Sequence, residues 1–260
     1  MSVLFSNGPT RDGERGYTYV DHGLARVGNR WLERVWSGFM GHTTSLMQKN
    51  GEVEWAAPKS PEFSLDAAGA TLGVDDFGEV EWSEECNELG ATLVATHRRP
   101  GLELRIEQLA FHEAPALLRS VTLLNSGSQA IEMGPVIAEC IALDRPEVRF
   151  CTGDFKQPQE SADSAGSPAL GALVHGGCGL LMLCESEGRI DLGARSPGIC
   201  SVAFQGSKRL APSQRAFIGR TFLIAFEGDA VAARDTLVAD VQGRLRLHER
   251  LTSKRAMENR

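Results

Sequence analysis

"VGNRWLERVWSGFMGHTTSL", running from Val27 to Leu46, decides how the rest of the chain is read. It counts two ways. As a helix, Leu32, Val35, Trp36, Phe39 and Met40 form an apolar stripe at i, i+3, i+4 spacing. As a strand, Trp31, Glu33, Val35 and Ser37 share one face while Leu32, Arg34 and Trp36 share the other. Periodicity slightly prefers the helix. Ser37-Gly38 and Gly41 interrupt that stripe, however, and the β-branched "HTTSL" that follows prefers a strand. The pattern leaves both readings open.

The surroundings are less divided. In "TLVATHRRPGLELRIEQLAFH", Leu102, Leu104 and Ile106 point one way and Glu103, Arg105 and Glu107 the other, the period of a half-buried strand. Arg99-Pro100-Gly101 reads as the hairpin connection before it. Leu118, Ser120, Thr122 and Leu124 alternate with Arg119, Val121 and Leu123, and Asn125-Ser126-Gly127-Ser128 is a strong turn. "LGALVHGGCGLLMLCESEGRIDLG" is a second hairpin with Gly176-Gly177 at its bend, and "RAFIGRTFLIAFEG" is one late strand ending at Gly228. Strand–helix alternation and a Gly-rich phosphate loop are both absent, so the expected fold is all-β, a large antiparallel sandwich. One helix closes it: Asp229 caps, and Val231, Leu237, Val238, Val241 and Leu245 form its apolar stripe. The predicted organisation is a single domain over 1–260, with strands over about 17–228 and an exit helix over about 229–250. The polar segment Gly153–Ala169 reads as a long loop, functional or passive.

Composition narrows the classes. A formal charge of −7 argues against a nucleic-acid protein, which needs a basic stripe to displace phosphate counterions, and against a polybasic membrane anchor. No run reaches the roughly 18 apolar residues of a membrane span, and no signal peptide is visible, which implies a soluble, cytoplasmic protein. Cys86, Cys140, Cys151, Cys178, Cys184 and Cys200 are scattered without a CxxC pair, so free thiols are expected and no metal or cofactor is implied.

Local chemistry is sparse. GxSxG, HExxH and DxDxDG motifs do not occur. His112 and Glu113 are adjacent and would face opposite ways on a strand. Tryptophan placement carries more signal, because Trp31, Trp36, Trp55 and Trp82 all fall in the first third of the chain. Indoles offer flat faces for sugar C–H surfaces. For any single one of them the first reading is core, where tryptophan is usually heavily buried. They are the candidate contacts to carbohydrate or to a partner.

One resemblance organises these signs. Asn29, Leu32, Glu33 and Arg34, then Thr43 and Thr44, then Glu62, Phe63 and Leu65, then Pro115, Leu117, Arg119 and Asn125 resemble, in order, the motifs of the N-terminal β-supersandwich of family 36-type α-galactosidases. The resemblance covers nearly the whole chain and implies a galactose mutarotase-like fold of two large antiparallel sheets. It implies no catalytic residue, since in that family the catalytic carboxylates lie in a barrel following this domain. The reading it supports is a non-catalytic, carbohydrate-associated sandwich binding a glycan or a glycoside hydrolase catalytic domain, or pairing with a second copy. The alternative is an aldose-1-epimerase-like enzyme, which needs a base at the anomeric hydroxyl and an acid at the ring oxygen. His97, His175 and Glu185 are the candidates for that pair if their strands meet.

Overall fold

Val27–Leu46 folds as strands, and the helical stripe is not used. In the computed structural model, which describes residues 15–21, 23–143, 149–152, 170–185, 188–191, 198–204 and 208–258, Leu32, Arg34 and Trp36 are buried while Glu33, Val35 and Ser37 are half-buried. Tertiary partners outweigh the local pattern. A helix would turn Arg34 away from the apolar stripe, whereas the strand buries it against carboxylates from elsewhere in the chain. The turn after the strand is shaped by Gly41, whose φ of +74° lies in the left-handed region. The Gly153–Ala169 segment lies outside the described residues.

The first sheet is a meander of β1 (Tyr17–Asp21), β2 (Leu24–Gly28), β3 (Leu32–Ser37), β4 (Thr43–Gln48) and β5 (Val53–Glu54). Next come the short β6 (Ser64–Ala67) and β7 (Ala70–Leu72), followed by β8 (Glu81–Cys86), β9 (Gly90–Arg99), β10 (Leu102–Phe111) and β11 (Ala116–Asn125). The remaining strands are β12 (Ile131–Ala142), β13 (Arg149–Thr152), β14 (Leu170–His175), β15 (Cys178–Glu185), β16 (Gly188–Asp191), β17 (Ile199–Phe204), β18 (Lys208–Leu210) and β19 (Arg215–Glu227). An eight-stranded sheet has the order β13-β14-β15-β19-β11-β10-β9-β8, and a six-stranded one the order β16-β17-β12-β6-β7 with β18 beside β12. Every described pairing is antiparallel.

The expected antiparallel all-β sandwich is therefore present, with one refinement: there are three sheets instead of two. Between the ends of the five-stranded and six-stranded sheets run two isolated bridges, Thr43 to Ser60 and Ala56 to Leu143. One apolar core joins all three, taking Val27, Leu32 and Trp36 from the first sheet, Leu104, Ile106 and Leu123 from the eight-stranded sheet, and Leu65, Met133 and Val202 from the third.

The eight-stranded sheet is buried on both faces at its β11–β19–β15 centre. Leu117, Met182 and Leu223 face the sandwich, while their neighbours Leu118, Leu181 and Phe222 face outward onto a second cluster. That explains why "LLMLC" and "FLIAF" read as continuous apolar runs and not as alternating ones. The outer cluster is covered by the C-terminal helix. It comprises α1 (Ala230–Ala233), a π-helical turn (Arg234–Val238) and α2 (Ala239–Glu258), so it runs past the expected end near residue 250. Ala233, Val241 and Leu245 are buried there, with Val231, Leu237 and Val238 packed alongside. Asp229 caps the helix as expected, its Oδ1 accepting from the Val231 and Ala232 amides at 3.0 and 2.9 Å. Asp229→Ala is expected to cost about 1 kcal/mol in a urea titration, the usual loss for an N-cap carboxylate.

Among the described residues Cys86, Cys140 and Cys178 are free thiols. No described helix is long and apolar enough to cross a membrane.

Candidate functional site

The four tryptophans separate into interior and surface. Trp55 is 1 % exposed and Trp36 3 %, so both are core side chains. Trp31 is half-buried at the turn into β3, with the Arg30 guanidinium 3.9 Å from its ring centroid. Trp82 is half-buried on β8, the edge strand of the eight-stranded sheet. Trp36 and Trp82 meet, with ring centroids 5.8 Å apart at 47°. The Trp82 indole N–H donates to the Gly38 carbonyl at 2.7 Å, tying the edge strand to the β3–β4 turn.

The proposed acid–base residues do not meet. His175 ends β14 at the hairpin bend, opposite Cys178, whereas Glu185 lies at the far end of β15, opposite Arg220. Seven residue steps of strand put about 24 Å between those two ends. Glu185 is engaged by Arg220 at 3.7 Å. His97 lies on β9, separated from β15 by β19, β11 and β10, four inter-strand spacings or about 19 Å. A single site cannot contain the three.

What the structure does assemble is a buried ionic cluster. Arg34 projects from β3 and is wholly buried. It donates through Nε to Thr43 Oγ1 at 2.9 Å, through Nη1 to Glu139 Oε2 at 3.0 Å and through Nη2 to Glu62 Oε1 at 3.0 Å. Arg119 of β11 donates through Nη1 to Glu62 Oε2 at 2.7 Å, through Nη2 to the Glu62 carbonyl at 3.1 Å and through Nε to the Ala138 carbonyl at 2.6 Å. The Thr43 hydroxyl also donates to Glu62. Two cations balance two carboxylates among residues from all three sheets and the segment before β6. Burial alone pushes the Glu62 carboxyl up, but Arg34 and Arg119 together outweigh it and hold it below the usual carboxylate range. Burial also pulls down on the Arg34 guanidinium, and Glu139 with Glu62 reverses that and raises it above its ordinary value.

Most of the residues carrying the resemblance are buried, and Arg34, Thr43, Glu62 and Arg119 among them form this cluster. Asn29, Leu32, Arg34, Thr43, Glu62, Phe63, Leu65, Leu117, Arg119 and Asn125 are all buried; Glu33, Thr44 and Pro115 are not. The motif thus records a polar framework. Glu139 had no part in it and was missed; its place in "IAECIAL", a charge inside an apolar run, was the available signal.

Beside this cluster lies a crevice lined by Trp36, Gly41, Glu62, Trp82, His97 and Gln108, with Leu93, Ala95 and Ile106 as apolar wall. Its volume is about 10 Å³, room for about one water molecule. His97 packs edge-on against Phe63 and Phe77, with centroids at 5.0 and 6.0 Å. Burial, helped by the charges of Arg119 and His42, pushes the imidazole down to about 3, so it is neutral at pH 7. Since the folded value lies below that of the unfolded chain, the unfolded state binds the extra proton first. Stability is therefore lost as pH falls below about 6.5 and goes on falling toward 3. Between pH 7 and pH 5 the loss is expected to be about 2 kcal/mol, and His97→Asn should flatten that limb of a stability–pH profile.

No family model matches the sequence, and no curated protein matches it closely enough to count as a relative. Solved structures do resemble it. The galactosidase domain of the α-galactosidase–sucrose kinase AgaSK aligns over 82% of this chain and 42% of its own, with TM-score 0.56 at 11% identity. A candidate aldose 1-epimerase from Klebsiella pneumoniae subsp. pneumoniae aligns over 87% of both chains, with TM-score 0.54 at 11% identity. The GH36 α-galactosidase AgaB from Geobacillus stearothermophilus aligns over 82% of this chain and 41% of its own, with TM-score 0.52 at 10% identity. The chain thus spans about two fifths of the galactosidases and most of the epimerase, and what it shares with them is the fold.

Proposed function

We propose that this chain is a carbohydrate-associated β-supersandwich that binds a glycan, alone or beside a glycan-processing domain, and performs no acid–base chemistry by itself. The observation carrying this reading is the state of its interior carboxylates. Glu62 and Glu139 are wholly buried and held between Arg34 and Arg119, which favours a structural role over proton transfer. The dispersal of His97, His175 and Glu185 supports the same view. Similarity to parts of larger galactosidases makes carbohydrate the expected ligand class, by analogy of fold.

The second reading, an aldose epimerase, is favoured by the 87% mutual coverage with the Klebsiella protein. Against it, an imidazole pushed down to about 3 is a poor general base at neutral pH, where a value near the working pH is needed. Polarimetry of freshly dissolved galactose and glucose decides between them. The expected rate with added protein equals the spontaneous rate; an acceleration abolished by His97→Ala would establish the enzyme. A calorimetric titration with galactosides and longer glycans tests the binding reading, which requires saturable heat from at least one.

A further inference from the structure

The crevice between Trp36 and Trp82 holds the most conspicuous unmet chemistry among the described residues. Gln108 is 2 % exposed, yet neither its amide nitrogen nor its amide oxygen has a protein partner, and His97, 1 % exposed, leaves Nδ1 unpartnered. Both side chains line the crevice. A buried amide without a partner costs about 1–3 kcal/mol, so a native interior rarely keeps one unless something polar is meant to meet it.

We propose that this crevice receives a single hydroxyl group of a neutral ligand, with Gln108 and His97 as its polar contacts and Trp82 as the apolar platform beside it. The proposal deepens the glycan-binding reading and rests on it.

Three features fix the ligand chemistry. First, a hydroxyl both donates and accepts, matching an amide that offers Nε2–H and Oε1 together. Second, the site carries no free charge: Glu62 is shared by Arg34 and Arg119, and the imidazole is neutral at pH 7. A carboxylate or ammonium entering it would lose its hydration without an ion partner. Third, about 10 Å³ admits one oxygen atom and no ring. The body of the ligand then lies outside, where Trp82 is half-exposed and Phe39, adjoining the carbonyl that holds the Trp82 indole, is 63 % exposed. Gly41 keeps the wall open, since a Cβ there would come within 2.9 Å of His97 Cε1.

The test is a titration of the full chain with methyl galactosides, glycerol and singly deoxygenated sugars, followed by tryptophan fluorescence and saturation-transfer NMR. Gln108→Met keeps the shape and removes both polar atoms, so its thermal midpoint should equal or exceed that of the wild type. Supporting the proposal are a saturable wild-type response, at least tenfold weaker for Gln108→Met and for one of the deoxy sugars. Equal binding by the wild type and Gln108→Met overturns the proposal while leaving glycan binding intact elsewhere on the surface. A flat wild-type response across the panel means that Gln108 and His97 hold a buried water only, and it overturns both.

Discussion

Arg34→Met is expected to lower the unfolding free energy by about 3–5 kcal/mol, the usual cost of removing one partner from a buried ion pair. Methionine fills much of the arginine volume, so the loss is electrostatic and not a cavity effect. Without Arg34, Glu62 and Glu139 face Arg119 alone, and one negative charge remains buried without a balancing cation. Thr43 Oγ1 loses its donor as well. A second substitution identifies the cause: Arg34→Met with Glu139→Gln removes the surplus charge and should recover part of the loss in the same denaturant titration. Acid titration gives an independent reading. Glu62 sits below its ordinary range in the fold, so its contribution is present above the unfolded carboxylate value and is lost as pH falls through the folded one. In Arg34→Met that acid-labile component should shrink, because one of the two cations that depress Glu62 is gone.

Asn29→Ala is expected to cost at least about 3 kcal/mol, because each buried polar group left unpaired costs about 1–3 kcal/mol. The Asn29 side chain is wholly buried and ties the β2–β3 turn to the β10–β11 connection. Its Nδ2 donates to the carbonyls of Phe111, Ala114 and Ala116 at 3.2, 3.1 and 3.2 Å. Its Oδ1 accepts from the amides of Trp31 and Leu32, both at 2.9 Å. Alanine removes all five bonds, and of these groups the Ala114 carbonyl keeps the Ala116 amide at 2.7 Å. Asn29→Asp separates the two halves of this role, since it keeps the acceptor and places a carboxylate oxygen against three carbonyl oxygens. It is expected to be destabilised at least as much as alanine at pH 7, and calorimetric melting points for the two variants check that order.

Much of the eight-stranded sheet was legible because its rules are local. Leu102, Leu104 and Ile106 against Glu103, Arg105 and Glu107 give the strand period directly, and the observed burial of β10 follows it. Pro100-Gly101 gives the turn, with Gly101 at φ +84°. The tryptophans were less legible. Trp55 and Trp36 lie inside and Trp82 at an edge, and no spacing distinguishes an indole that fills a core from one that borders a crevice. Gln108 was not singled out at all. On the sequence it is one polar residue in an alternating strand, and only its inward direction beside His97 and Trp36 gives it meaning.

By itself the sequence determined an antiparallel all-β chain with a capped C-terminal helix, since alternation, turn chemistry and capping act over a few residues. It also carried the framework asparagines and arginines, though as a pattern without a stated purpose. Tertiary structure decided that Val27–Leu46 forms strands, the end of β2, β3 and the start of β4, because only in that arrangement do Glu62 and Glu139 meet Arg34. It likewise decided that His97, His175 and Glu185 lie on separate parts of one sheet. Strand order is set by pairings between residues far apart in the chain, and no local period encodes which strands become neighbours.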